Sequence, residues 1–184
     1  MNNLQPEKLN LLDFFKKISS DNFVIPVYQR KYVWTIKKQI KKFLDDYFKV
    51  LDRYEDKHFI GIIMYLQIQK RIGEAEMSIV DGQQRIITIF LILEVLTQLC
   101  KQSGNADLEN EINTQYLNNN YLIDESDSPK LQLLLGDNEI LQKIINHKIN
   151  EITKGEENTP IYQNFTYIEK TLKEKFQKNH WRIC

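Results

Sequence analysis

Cysteine, histidine and proline are scarce in this chain of 184 residues, which has two, three and four of them. Cys100 lies in an apolar run and Cys184 is the last residue, so the pair offers neither a disulfide framework nor metal-ligand spacing, and a reducing cytoplasm is the expected setting. His58, His147 and His180 stand far apart, and no metal site is expected. No Gly-x-x-x-x-Gly-Lys-Ser/Thr string occurs, which excludes a P-loop. A surplus of charge is also missing, with 25 Lys plus Arg against 25 Asp plus Glu. No whole-protein field draws the chain to nucleic acid, and any such contact must come from a local patch. The start, Met1-Asn2-Asn3-Leu4-Gln5-Pro6-Glu7, lacks the basic and apolar order of a signal peptide. Ile86 to Cys100 is apolar at eleven of fifteen positions but carries Glu94 and Gln98. That run is too short for a membrane span and predicts a core helix.

What is present reads as alternating helical and extended segments. Leu9, Leu12, Phe15 and Ile18 recur at helical spacing until Asp21-Asn22, and Phe23 to Tyr28 is extended, with Pro26 marking a strand end or edge. Thr35 is positioned to cap a helix whose apolar face is Ile36, Ile40, Phe43, Leu44, Tyr47 and Leu51. Lys37, Lys38, Lys41 and Lys42 crowd its other face, either simply solvated or in contact with phosphate. Phe59 to Ile68 and Glu76 to Val80 predict a hairpin with its turn near Ile72-Gly73-Glu74. Beyond Lys101 the chain turns polar and asparagine-rich, with a short helix near Leu108 to Tyr116. Leu131 to Leu135 is ambiguous between strand and helix. Helices follow at Asn138 to Ile149 and along Phe165, Ile168, Leu172 and Phe176, separated by a loop at Thr153 to Pro160.

The most informative string is Asp81-Gly82-Gln83-Gln84-Arg85. It stands between the strand-like Met77-Ser78-Ile79-Val80 and the apolar helical run from Ile86. A strand that breaks at Asp-Gly and restarts as a helix leaves unpaired amides, a ready anion site. Gly82 permits positive φ and close approach of a ligand, two glutamines supply amide donors and acceptors, and Arg85 is the side chain best suited to gripping two phosphate oxygens. The plainer reading is an Asp-Gly turn with Arg85 paired to a surface carboxylate.

A second cluster, Ile25-Pro26-Val27-Tyr28-Gln29-Arg30-Lys31-Tyr32-Val33-Trp34, interleaves aromatic rings with cations. Such a run stacks on a base or nucleotide ring while Arg and Lys meet phosphates. Equally, Tyr32 and Trp34 are core anchors and Arg30 is an internal salt-bridge partner.

Taken together, Ile25-Pro26-x-Tyr28-Gln29-Arg30-x-Tyr32-x-Trp34, His58-Phe59-Ile60-Gly61 and Val80-Asp81-Gly82-Gln83-Gln84-Arg85 resemble the N-terminal domain of GmrSD-type restriction enzymes, a bacterial family defined by its DGQQR motif. The likeness runs from about Phe14 to Phe176. It implies an α/β fold of the ParB/sulfiredoxin-like kind, a small mixed sheet with flanking helices over residues 1–101, followed by a mainly helical extension over 102–184. It also implies that the strand-turn-helix binds a nucleoside triphosphate with Mg²⁺ in a cytoplasmic system restricting modified foreign DNA from phage. On that carry-over Gly82, Gln83, Gln84 and Arg85 contact phosphates, and Gln29 and Arg30 approach from the facing strand. Thr88 offers a hydroxyl from the first helical turn, Asp81 and Arg85 are the catalytic pair, and Tyr28, Tyr32, Trp34 and His58 stack on or flank the base. The chain departs from the commoner pattern at Ile86-Ile87, where the family often has a leucine and a threonine.

Relatives commonly carry a further His-Asn-His nuclease domain, which has no counterpart here. Glu55-Asp56-Lys57, with Asp45, Asp46 and Asp52 upstream, imitates a nuclease string but reads as a solvated charged loop. The expectation is a nucleotide-binding regulatory module with weak, slow NTP hydrolysis, working with a nuclease domain or subunit and away from membranes. The alternative is a DNA-recognition or adaptor domain without catalysis, touching DNA through Lys37 to Lys42 and the aromatic cluster.

Overall fold

A computed structural model describes residues 6–17, 22–26, 28–71, 74–119, 128–133 and 135–178. It is a mixed α/β fold, as the sequence suggests. Helix α1 (Leu11–Lys17) precedes strand β1 (Asn22–Val24). A π-helical turn at Ile36–Ile40 runs directly into α2 (Lys41–Leu51). The hairpin β2 (Met64–Arg71) and β3 (Glu74–Asp81) leads through Gly82 into α3 (Gln83–Ser103). After α4 (Ala106–Ile112) come three two-residue strands, β4 (Asn118–Asn119), β5 (Ser128–Pro129) and β6 (Leu131–Gln132), then α5 (Leu135–Ile145) and α6 (Pro160–Lys178). Ile18, Asp21, Val27 and the expected turn at Ile72-Gly73 lie outside the described residues, as do His180 and Cys184.

Four strands form one sheet in the order β2-β3-β1-β6. The hairpin is antiparallel, whereas β1 runs parallel to both β3 and β6, with Phe23 opposite Met77 and Leu131. That pairing resolves the Leu131 ambiguity: its short apolar run is a strand because β1 supplies a ladder. On the sheet lie Phe15, Phe23 and Phe90, whose ring centroids are 5.4 to 6.0 Å apart. Such edge-to-face clusters add to the burial of their area.

Helix α3 is the axle of the core, with Ile86, Phe90, Leu91 and Val95 fully enclosed. It is apolar on all sides because it is wrapped on all sides: β1 and α1 cover one flank, and α4 and α6 pack on the others. By length and composition it could cross a membrane, but 72% of its apolar window is buried within the fold. It starts three residues earlier than its apolar pattern predicts, because two polar side chains, Gln83 and Gln84, are buried there. Helix α6 likewise starts early, with Pro160 in the first position, where the missing N–H costs no hydrogen bond. The expected hydroxyl cap from Thr35 is replaced by Gln39, whose Oε1 accepts from the Thr35 amide at 3.0 Å.

One acid sits inside this core. Glu94 of α3 is 1% exposed, accepts from Gln98 Nε2 at 3.0 Å and lies 3.4 Å from His147 Nδ1. Burial pushes its carboxyl up to about 7, while burial also pulls the His147 imidazole down. A carboxyl raised in the folded state contributes stability that is complete below the unfolded value near 4.5 and is lost as pH climbs through about 7. His147 acts in the opposite sense, lowering stability as pH falls below its ordinary value. Glu94→Gln keeps the contact to Gln98 and removes the acid-side linkage. Thermal melts between about pH 5 and 8 are expected to show the wild type losing this contribution up to and through neutrality and levelling off near pH 8, with the variant ahead by about 5 °C at the alkaline end.

Candidate functional site

The strand-to-helix turn after β3 is the meeting point of three sequence motifs, and side chains of the turn itself join them. Gly82 adopts φ +92° and precedes α3 without any side-chain cap. A Cβ there would lie 3.2 to 3.3 Å from Ile63 and the Ile62 carbonyl, so glycine is required by both backbone and space. The Gly82 carbonyl accepts from the Arg85 and Ile86 amides and starts the helix.

Gln84 is buried and fully engaged. Its Nε2 donates to the Lys31 carbonyl at 3.1 Å, and its Oε1 accepts from the Val33 and Trp34 amides at 2.8 and 3.2 Å. Gln83 donates to the Arg30 carbonyl at 3.0 Å, and Gln29 donates back to the Val80 carbonyl at 3.2 Å. These three glutamines bind the 29–34 loop to the turn. Backbone that forms no ladder must find other partners when buried, and here the partners are glutamines.

On the other side Arg85 does the same for the 60–62 loop. Nη1 donates to Ile60 O at 3.1 Å and Nη2 to Ile62 O at 2.7 Å. Gly61, at φ +102°, is the seat for this guanidinium, since a Cβ on it would fall 1.7 Å from Nη1. The 59–63 part of the expected Phe59 to Ile68 strand is therefore not a strand. Its carbonyls at 60 and 62 face Arg85 rather than a ladder, and β2 begins only at Met64. Asp81, its side chain 63% exposed, stands 3.6 Å from Nη2.

The remaining predicted site residues divide by burial. Thr88 is fully enclosed, donating to Gln84 O at 2.8 Å and sharing a 2.8 Å hydrogen bond with the Tyr32 hydroxyl. Tyr32 is 2% exposed, and burial pushes its phenol up to about 12. The Trp34 ring is half-buried against Phe43, 5.8 Å between centroids. Tyr28, by contrast, is 72% exposed, and Arg30 is also exposed. His58 lies 3.8 Å from carboxylate oxygens of both Asp46 and Glu55, in the charged loop rather than at the turn. Sequence reasoning missed Asn164, whose Nδ2 donates to the Tyr32 hydroxyl and to the Trp34 carbonyl, and Asp137, which accepts from the Tyr32 amide. Asn164 had left a signal: it stands four residues before Ile168, on the apolar face of the last helix, where a polar residue needs a buried partner.

Much of the turn's polar capacity is thus spent internally, and the unspent remainder defines what it can hold. The turn is roofed rather than open, with Gln83 6% and Gln84 4% exposed. Gln83 Oε1 is buried without a hydrogen-bond partner. Two of the five N–H bonds of Arg85 go to carbonyls; among the described residues the others meet no acceptor within hydrogen-bond distance, with the Asp81 carboxylate 3.6 Å from Nη2. Arg30 and Asp81 are exposed, and Arg85 is half-buried. Among the described residues no three His, Cys, Asp or Glu side chains are grouped to bind a metal. A Mg²⁺ ion here would rest on the guest's own oxygens with Asp81 as a carboxylate of the turn, the arrangement this cation favours with phosphates.

Residues 11–183 match the family described as GmrSD restriction endonuclease, N-terminal domain. A search of curated proteins finds no significant match. The chain belongs to that family and is a restriction-system component.

The clamp geometry sets an order of cost. Gln84→Ala removes three hydrogen bonds and strands two loop amides, and is expected to cost roughly 3 kcal/mol in urea unfolding. Gln83→Ala removes one, at roughly 1 kcal/mol. Equal losses for the two variants would contradict the roles given to them.

Proposed function

We propose that this GmrSD-family domain is a nucleotide-binding regulatory module that hydrolyses triphosphate slowly and governs a nuclease domain or subunit acting on modified foreign DNA. One observation carries the reading. An uncapped start of a 21-residue helix adjoins a buried amide oxygen, Gln83 Oε1, that lacks a donor. The helix end favours an anion. The orphan oxygen has no solvent-exposed surface, so a guest that also donates, through a ribose hydroxyl or a metal-bound water, reaches it only by displacing the cover over the turn. Sulfate or fully ionised phosphate meets only the first demand, whereas a nucleotide with Mg²⁺ meets both.

The exposed cation Arg30 is the first contact for the phosphates, and the uncommitted N–H bonds of Arg85 are the second. Arg85 cannot swing freely towards a guest, because Ile60 and Ile62 hold it. This supports a role in positioning and charge stabilisation. With no lysine cradle, turnover suits a switch more than metabolic throughput.

Calorimetry with the four ribonucleoside triphosphates and Mg²⁺ tests this directly. Arg30→Ala, which removes an exposed side chain, is expected to weaken binding about tenfold or more without lowering the melting temperature, consistent with the loss of a charge-assisted contact. No heat and no thermal shift with any triphosphate at millimolar concentration would overturn the reading.

A further inference from the structure

The sheet has one long edge without a neighbour. In the order β2-β3-β1-β6, the eight-residue β2 pairs with β3 on one side and, among the described residues, with no strand on the other. The opposite edge is β6, two residues long. An open strand edge is a template for another strand, and soluble proteins blunt it with charge, proline or brevity. The run Met64-Tyr65-Leu66-Gln67-Ile68-Gln69 has none of these.

The side chains of that edge add an apolar stripe. Alternate residues of a strand point to opposite faces of its sheet. Tyr65 turns to the core, its ring centroid 6.0 Å from that of Phe14. Met64, Leu66 and Ile68 therefore share the other face, and all three are exposed. Val80 of β3, next to the buried Ile79, is exposed on the same side. The loop entering β2 adds exposed Phe59 and Ile62. Together the six leave about three whole large side chains in water, roughly 500 Å² at about 150 Å² each. That matches the largest apolar patch of an ordinary monomer, and such patches mark contact sites.

Three features fit a second copy of this chain as the cover. Doubled by a two-fold axis, the apolar area reaches roughly 1,000 Å², the size at which a specific interface begins, before the backbone of the two edges is added. The strand is also complementary to itself. It holds an unbroken register with β3 from Tyr65 to Gln69, with irregularities on either side. An axis through the middle of that stretch, at Gln67, sets Leu66 of each copy opposite Ile68 of the other, on one face of a joined sheet. Apolar pairs so placed stabilise, whereas like charges directly opposite would destabilise. The charges of β2, Lys70 and Arg71, fall opposite Met64 and Ile63 rather than each other. Finally, the chain's formal net charge is zero, so two copies meet without long-range repulsion.

We propose that β2 is a dimer edge: two copies join antiparallel through it about a two-fold axis, making one continuous sheet. The second edge is too short to extend the assembly, which closes at two. The dimer does not depend on the nucleotide reading, and its test contains no nucleotide.

The test is light scattering behind size exclusion, with the whole chain loaded from about 5 to 500 µM. The wild type, 22.0 kDa as one chain, is expected to approach the mass of two at the top of that range. L66E and I68K each place a charge at an exposed position, and each is expected to associate at least tenfold more weakly. Their melting temperatures at low concentration should match the wild type, which separates lost pairing from lost folding. An equimolar mixture of L66E and I68K is expected to regain the dimer, since opposite charges then face each other across the axis. Four results would overturn the proposal: single-chain mass for the wild type throughout, which would leave the face to a different protein; unaltered association of L66E; a mixture no more associated than its components; or masses growing past two chains.

Discussion

Everything at the signature turn depends on one requirement: backbone buried outside helices and sheets must still form its hydrogen bonds. Two loops converge on the start of α3, and neither has a strand beside it to supply them. Gln84 meets the need of the first by joining the carbonyl of Lys31 to the amides of Val33 and Trp34 through one planar side chain. Arg85 meets the need of the second by spanning the carbonyls on either side of Gly61. Remove either and donors or acceptors are left stranded, which costs more than the bond itself was worth. The three motifs that mark the family are therefore partners in one network, and their joint occurrence has a folding reason alongside any binding reason.

That reason shapes how the site works. On the proposed reading, side chains occupied with the fold arrive preorganised but have little freedom, so a guest would be offered fixed groups: the helix start, the spare N–H bonds of Arg85 and the unpartnered oxygen of Gln83. Polar capacity left unsatisfied in a buried position is costly to stability, and such cost is common where binding takes place.

The sequence made parts of this architecture plain and hid others. The apolar run from Ile86 announced the core helix, and Phe165, Ile168 and Leu172 announced its last partner, because burial over several turns leaves a clear period. The Asp81-Gly82 break between the two apolar runs located the turn. What stayed hidden were non-local carbonyls. Gln83 and Gln84 look like surface residues of a polar turn, yet their partners lie some fifty positions earlier, and no local pattern encodes that. Phe59 to Ile63 has strand composition but forms a loop, because Arg85 claims its carbonyls and Phe59 is left 78% exposed. Tyr32 and Trp34 turned inward because Asn164, far along the chain, supplies an amide to the hydroxyl of one and the carbonyl of the other.

The account turns on the start of α3 being the place where a guest's charge is received. Backbone amide NMR of the ¹⁵N-labelled chain, titrated with a magnesium nucleoside triphosphate, reads that spot directly. The largest shifts are predicted at Gly82, Gln83, Gln84 and Arg85 and at the Gln83 side-chain amide, with Arg30 following. Shifts confined to other elements, with those five signals unmoved at saturation, would contradict it.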